Sequence, residues 1–362
     1  MHRISTLPGN EPQEENTFIE QPSAPVIFLT SATSDITCLS TVLKLPDNSK
    51  WKNKIRALPI AYLSSNASID HYITNTCNTA EIILVRFLGS RSYWSYGFEQ
   101  LGLWQLEKPN RHLIVVSGIE STANDVQEIS SLNQEKVDLI QTHSKRFPDS
   151  LKNLPRKRSP IMLFSQGEKL DFKKCVAIVG TRNCSSKGDI IARELSGKLA
   201  KNGYLIVSGL ARGIDRSAHI GAIDAGGKTI AVVAWLPEIY PADHNTLAED
   251  IRKNGCIISE YFLVDEKSKG LIVKRNQIIS ALSDFVIVVE TGPLGGANYA
   301  VDYAHKLSKT VIAIKPKSEN TEFSEGFKKL VANGAIEADT VSQAIKIIKK
   351  GIKQRKSSLD DF

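Results

Sequence analysis

Two segments, Ala177-Ile-Val-Gly-Thr-Arg182 and Val207-Ser-Gly-Leu-Ala-Arg-Gly-Ile-Asp215, constrain the fold of this chain more than any other feature. Each is a short β-branched run that enters a glycine-bearing turn and then a helical stretch. That arrangement points backbone N–H groups toward an anion. Two such turns in register predict one anion-binding edge at the carboxyl ends of neighbouring strands. The spacing is not the dinucleotide fingerprint G-x-G-x-x-G, and no acidic residue closes the following strand, so no nicotinamide cofactor is expected.

Strand-like runs recur on both sides of these turns. Val26-Ile-Phe-Leu29, Ile82-Ile-Leu-Val85 and Leu113-Ile-Val-Val116 are continuous apolar segments of the kind buried on both faces of a parallel sheet. Helical stretches over 35–44, 68–80 and 94–107 separate them, which predicts a first α/β domain over 25–136. A polar, Pro-rich lead over 1–24 precedes it and is expected to be flexible. Further strands are expected at 175–180, 204–208, 229–234, 256–260, 285–290 and 310–315. Among the intervening helices, Ile191, Leu195 and Leu199 recur at helical spacing and Gly203 supplies a stop. The fold class is therefore α/β, with a Rossmann-like doubly wound parallel sheet over 171–349 preceded by the smaller α/β domain. Residues 137–170 read as a basic linker and entry segment, crowded with Lys145, Arg146, Lys152, Arg156, Lys157 and Arg158. A basic amphipathic helix beginning near Ala344 is expected to cap the second domain, and 350–362 reads as a polar tail.

Charge and cysteine usage narrow the partners. A net charge of +7 over 362 residues favours an anionic partner without demanding one. Cys38, Cys77, Cys175, Cys184 and Cys256 lie far apart with no C-x-x-C pair, which argues against a zinc site or a disulfide framework and for a reducing cytoplasm. No apolar run reaches membrane-spanning length, so no membrane partner is expected.

The region from about 141 to 349 resembles the DNA-processing protein A (DprA/Smf) family. The resemblance runs through Phe147-Pro148, Leu163-Phe164, Gly167, Val-Gly-Thr-Arg182 and Ser-Gly-Leu-Ala-Arg-Gly-Ile-Asp215 with Ala218-His219. It continues through Tyr240-Pro241, Ser259-Glu260, Arg275-Asn276, Leu282-Ser283 and Val288-Val-Glu290. It implies a module that binds single-stranded DNA and helps load a RecA-type recombinase, with no chemical turnover, no cofactor and no metal; a homodimer is compatible with it. The first 135 residues carry a second resemblance, through Ala24-Pro-Val-Ile-Phe-Leu-Thr-Ser-Ala32, Arg86-Phe-Leu-Gly89 and Tyr93-Trp-Ser-Tyr-Gly97, to the N-terminus of the cobaltochelatase large subunit CobN. The metal-inserting body of that subunit is missing, so chelatase activity is not implied.

The expected DNA- and phosphate-binding set is Gly180, Thr181, Arg182, Ser208, Gly209, Arg212, Gly213, Lys228, Arg275, Asn276, Gly295 and Gly296. Arg182 is the leading candidate, because a guanidinium matches phosphate oxygens with a planar fork of donors; its alternative is an intradomain pair with Glu260 or Glu290. Asp215 reads as a helix cap, and His219 as a satisfied structural residue rather than a base. Trp235 replaces a Gly-rich turn usual in the family and either fills the cleft or stacks on a base, with filling favoured. The loop Gly292-Pro-Leu-Gly-Gly-Ala-Asn-Tyr-Ala300 lacks the hydroxyls that relatives carry, although its glycines can still present N–H groups. An alternative is a sensor of a nucleotide-derived small ligand. Hydrolysis of the phosphoribohydrolase type is the weakest reading, since that loop lacks the Gly-Thr and Glu such enzymes use.

Overall fold

The computed structural model describes residues 18–51, 53–118, 130, 137–142, 144–155, 158–262 and 267–357. The chain divides into two units, Met1–Lys136 and Val137–Phe362.

Among the described residues the first unit is built on four parallel strands, β1 (Val26–Thr30), β2 (Ile55–Pro59), β3 (Ile82–Phe87) and β4 (His112–Ser117), in the order β2-β1-β3-β4. Alternate residues Ile27, Leu29, Ile83, Val85, Leu113 and Val115 pack against Tyr72, Phe98, Leu101 and Trp104 of the helices. The indole N–H groups of Trp94 and Trp104 donate to the carbonyls of Leu63 and Cys77, at 3.0 and 2.9 Å, so two large aromatics enter the core without stranding a donor. The helix Asn66–Asn75 starts at a capping box in which Ser65 and Ser68 exchange hydrogen bonds. Strand β2 escapes sequence pattern because Ile-Arg-Ala-Leu-Pro lies at a sheet edge and buries only Leu58. Of the lead expected over 1–24, residues 1–17 lie outside the described residues. Its end is docked: Gln21 accepts the Tyr72 hydroxyl at 2.8 Å, and Ala24 is buried.

Among the described residues the second unit carries nine strands: β5 (Val137–Gln141), β6 (Met162–Gly167), β7 (Cys175–Val179), β8 (Leu205–Ser208), β9 (Thr229–Val232), β10 (Gly255–Ser259), β11 (Phe285–Val288), β12 (Thr310–Ile314) and β13 (Ile336–Ala338). Their order is β13-β12-β11-β7-β8-β9-β10-β6-β5. From β13 to β10 all pairs are parallel; β6 pairs antiparallel with β10, and β5 antiparallel with β6. Period-two alternation places Cys175, Ala177 and Val179 under the helix Lys269–Leu282 and its neighbours, and Val176 and Ile178 under the helices Ser186–Lys201 and Ile214–Asp224. Helices thus cover both faces, as a doubly wound sheet requires.

Residues 137–170 are not a linker. They supply β5, β6 and the short helix Asp149–Lys152, and they bury Ile140, Phe147, Leu151, Leu154 and Leu163 in the core of the second unit. Charge masked this pattern in the sequence: Arg146 pairs with Asp138, and Lys152 with Asp149 at 2.9 Å, on the solvent side of the same segment. Arg156 and Lys157 lie outside the described residues. At the other end, the helix Val341–Ser357 runs into the stretch expected as a tail over 350–362. Val341, Ala344 and Ile348 of that helix are buried on the sheet face shared with Val176 and Ile178.

Candidate functional site

The chain leaves β7 for β8 and later returns to β11 on the other side of β7, so strand order reverses between β7 and β11. In open α/β sheets a ligand is expected in the crevice at such a point, on the N-terminus of the helix after the first strand. Here that position is filled from within. The Glu290 carboxylate, just past β11, accepts from the Ser185 N–H at 2.8 Å and from the Ser185 hydroxyl at 2.6 Å. Ser185 in turn caps the helix Ser186–Lys201 by accepting the Gly188 N–H at 3.0 Å. A side-chain carboxylate holds the place of an anion.

The second glycine turn is satisfied internally as well. Asp215 accepts the N–H groups of Gly209 and Ala211, at 3.2 and 3.3 Å, so it closes the loop ahead of its helix. Burial raises its carboxyl above the usual range, against the opposing pull of Arg275 and these N–H groups. Gly213 has φ +72°, and a Cβ there would lie 2.3 Å from the Thr181 carbonyl, which instead accepts the Ile214 N–H at 3.1 Å. Glycine is required for the two loops to meet. With the N–H groups of Thr181, Ser185, Gly209, Ala211 and Ile214 committed, side chains are the leading candidates to hold a phosphate at this edge.

Those side chains converge on a cleft of about 50 Å³ at the ends of β7, β8 and β9. Its lining includes Arg182, Arg212 and Arg275 together with Trp235, Tyr240 and Ile272. The three arginines differ in what they are free to do. Arg275 is 9 % exposed, donates to the Val232 carbonyl at 3.2 Å, and lies 3.8 Å from the Asp215 carboxylate. Burial lowers its proton affinity, Asp215 works the other way, and the like charge of Arg182 adds to the lowering. A Cβ on Gly209 would sit 1.2 Å from its Nη1, so the guanidinium occupies the space that this glycine leaves. Arg212 makes a bidentate pair with Asp243, both contacts at 3.0 Å. Arg182 is exposed and makes no hydrogen bond or ion pair among the described residues. Neither carboxylate considered as its partner reaches it, since Glu290 is held by Ser185 and Glu260 pairs with Lys274 at 3.3 Å.

Of the sequence-derived set, Arg182, Gly209, Arg212 and Arg275 meet in this cleft. Gly180, Thr181 and Gly213 stand in the neighbouring turns and do not line it, the Thr181 N–H being taken by the Glu290 carbonyl at 2.6 Å. Ser208 is buried and donates to the Ile178 carbonyl at 2.6 Å, so its hydroxyl faces the core. Lys228 precedes β9, at the amino end of that strand and roughly 15 Å along it from Val233. It pairs there with Glu168 and takes no part in the cleft. Asn276 stands beside Arg275 on the helix Lys269–Leu282 but does not line the cleft. Gly295 and Gly296 form the turn into the helix Ala297–Lys306, where the Gly295 N–H donates to the Gly292 carbonyl at 3.0 Å.

Trp235 is 5 % exposed and fills the cleft wall. His219 is a core residue. The Thr229 hydroxyl donates to the Ile206 carbonyl at 2.8 Å and therefore accepts from His219 Nδ1 at 2.7 Å, while Nε2 has no partner among the described residues. Burial pushes its pKa down to about 3. Sequence reasoning did not include Tyr240 and Asp243 in the site. Tyr240-Pro241 is visible as a dipeptide without any sign of its position, and Asp243 meets Arg212 across 31 residues of sequence.

Comparison with known proteins bears on this geometry. The family model for DNA recombination-mediator protein A matches residues 138–349, which include strands β6 to β13 and all of β5 but its first residue. The chain belongs to that family. Protein Smf of Synechocystis is 33 % identical over 227 residues, a stretch covering 61 % of this chain and 56 % of that protein. The chain thus spans little more than half the length of that relative. Among solved structures, DNA processing protein A of Streptococcus pneumoniae superposes with a TM-score of 0.54 at 31 % identity, covering 60 % of this chain and 76 % of that one. The Helicobacter pylori protein, described for its single-stranded DNA binding mode, gives 0.52 at 30 % identity over 60 % of this chain and 97 % of its own. A stretch of 140 residues is also 28 % identical to aerobic cobaltochelatase subunit CobN of Pseudomonas aeruginosa, of which it covers 11 %. No helix among the described residues is long and apolar enough to cross a membrane.

Proposed function

We propose that the second unit binds single-stranded DNA across the cleft at the ends of β7, β8 and β9 and delivers it for recombination without chemical turnover. The observation that carries this reading is Arg182, an exposed guanidinium at the edge of that cleft with no protein partner among the described residues. A planar fork left free beside a cleft suits a phosphate that arrives with the ligand. The size of the cleft favours a strand over an enclosed small molecule. Small-ligand pockets measure about 300–1,000 Å³, and the helix N-terminus that would receive a nucleotide phosphate already holds Glu290. A strand that crosses the surface needs only a phosphate contact and an open side.

Delivery to a RecA-type recombinase rests on membership in a family of recombination mediators. The five cysteines are all free and fit a reducing cytoplasm. The deciding experiment is an anisotropy titration of the full chain with a single-stranded oligonucleotide and with blunt duplex over a range of salt. Tighter binding of the single strand is expected, with affinity falling as salt rises and with Arg182→Ala reducing the salt slope by about 0.7. Equal or tighter binding of blunt duplex would overturn the proposal.

A further inference from the structure

The cleft holds a group that neither the arginines nor the fold accounts for. Tyr240 is 55 % exposed although it lines the same cleft as Arg182, and its ring lies 6.0 Å from the buried ring of Trp235 at 42°. Its loop is well held. The Leu236 N–H donates to the Tyr261 carbonyl at 2.9 Å, the His244 N–H to the Pro241 carbonyl at 3.0 Å, and the His244 imidazole bonds the Leu210 carbonyl at 2.9 Å. Pro237 and Pro241 restrict the backbone on either side of the tyrosine. A large aromatic that only filled space would be buried like Trp235. This one is fixed on its loop and left open to solvent.

We infer that Tyr240 is a stacking platform for one unpaired base of the strand whose phosphate is held by Arg182. The inference rests on the single-stranded DNA reading and extends it from the backbone to the bases. Every base has a π-face, so a lone aromatic beside a cationic groove binds single strands with little sequence preference. A duplex keeps its faces stacked internally and cannot use the platform. Tyr240 therefore accounts for strand preference, which a phosphate clamp alone does not supply, because phosphates are present on both forms.

The test compares full-length wild type, Tyr240→Ala, Tyr240→Phe and Arg182→Ala on an oligothymidylate and on an abasic sugar-phosphate strand of equal length. Tyr240→Ala is expected to weaken binding to the base-bearing strand by about 5- to 150-fold, the range for loss of one base–aromatic stack. Its affinity for the abasic strand should stay within about two-fold of wild type, and its salt slope should not change, since no phosphate contact is lost. Tyr240→Phe should bind as wild type does. Arg182→Ala should lower the slope on both strands alike. An equal loss on both strands for Tyr240→Ala, or no loss on oligothymidylate while Arg182→Ala still lowers the slope, would overturn the platform and leave the DNA reading standing. Failure of the wild type to bind either strand would overturn both.

Discussion

The two units each place an arginine at the carboxyl edge of a parallel sheet and use it in opposite ways. In the first, Arg86 near the end of β3 donates to the Asp35 carboxylate at 2.8 Å, and the Thr30 hydroxyl donates to the same oxygen at 2.5 Å. The guanidinium is consumed by the fold. In the second, Arg182 follows β7 and the carboxylates around it are engaged elsewhere: Glu290 on Ser185, Asp215 on the loop at Gly209, Glu260 on Lys274. The architecture alone does not make an anion site. What differs is whether an acidic side chain reaches the arginine, as Asp35 reaches Arg86 and none among the described residues reaches Arg182.

That contrast is broken most severely by removing the arginine that the second unit has buried. Arg275→Ala leaves Asp215 in the interior without its cationic neighbour and should cost about 3–5 kcal/mol of stability, the range for breaking a buried pair. Denaturant melts of the second unit's transition measure it. An unchanged midpoint with reduced DNA affinity would move Arg275 from framework to ligand contact.

Acid should strain the second unit through His219. Its folded-state pKa of about 3 lies below the unfolded value of 6.5, so as pH falls the unfolded chain takes the proton first. The stabilisation is fully present above about 6.5 and is lost toward about 3, at roughly 1.4 kcal/mol per pH unit. His219→Gln should flatten that dependence. A pH profile identical to wild type between 6.5 and 4 would show that His219 is not the group responsible.

The sheets were legible because their pattern is local. Cys-Val-Ala-Ile-Val and Phe-Val-Ile-Val are apolar without interruption, as strands covered on both faces must be. Strands β5 and β6 were hidden by the charges that flank them, since an ion pair such as Arg146 with Asp138 is invisible until the strands are paired. The site was legible to the same extent. Residue type and turn chemistry placed Arg182 and Arg212 at the carboxyl edge where the cleft lies, whereas Lys228 lies at the amino end of β9, because positive charge near a strand does not say which end of it the residue occupies. Which guanidinium remains free depends on long-range partners, Glu290 to Ser185 across 105 residues and Arg212 to Asp243 across 31. No window of sequence contains both members of such a pair.

A crossed pair of substitutions sharpens the comparison between the edges. Arg182→Ala removes a charge-assisted phosphate contact, worth about 1.5–3 kcal/mol, so affinity should fall about 10- to 150-fold with the thermal midpoint unchanged. Arg86→Ala should do the reverse: DNA affinity stays as in wild type, and stability falls by at most about 1 kcal/mol, because the pair with Asp35 is only partly buried. If Arg86→Ala also weakened DNA binding, the first unit would have to be counted as part of the interface. If Arg182→Ala unfolded the protein, its guanidinium would be structural.

The smallest expected effect converts a committed arginine into a free one. Asp243 holds Arg212 at the rim of the cleft, both side chains more than half exposed, and the hydrogen bonds from Arg212 keep the carboxyl of Asp243 below its usual range. Asp243→Asn should leave stability nearly unchanged, since exposed pairs contribute about 0–1 kcal/mol. It also removes a negative charge from the path of the strand and lets the Arg212 fork turn toward a phosphate. Affinity for a single strand should rise about two- to five-fold at low salt, matching the modest worth of the pair it breaks. The salt slope should steepen by about 0.7 as one more counterion is released on binding, so the gain should shrink as salt rises. A steeper slope would place Arg212 within reach of the backbone and make Asp243 the residue that leaves the three arginines of the cleft with one free guanidinium. An unchanged slope with unchanged affinity would mean that the strand passes Arg182 without approaching Arg212, and the contrast between the two edges would then rest on Arg182 alone.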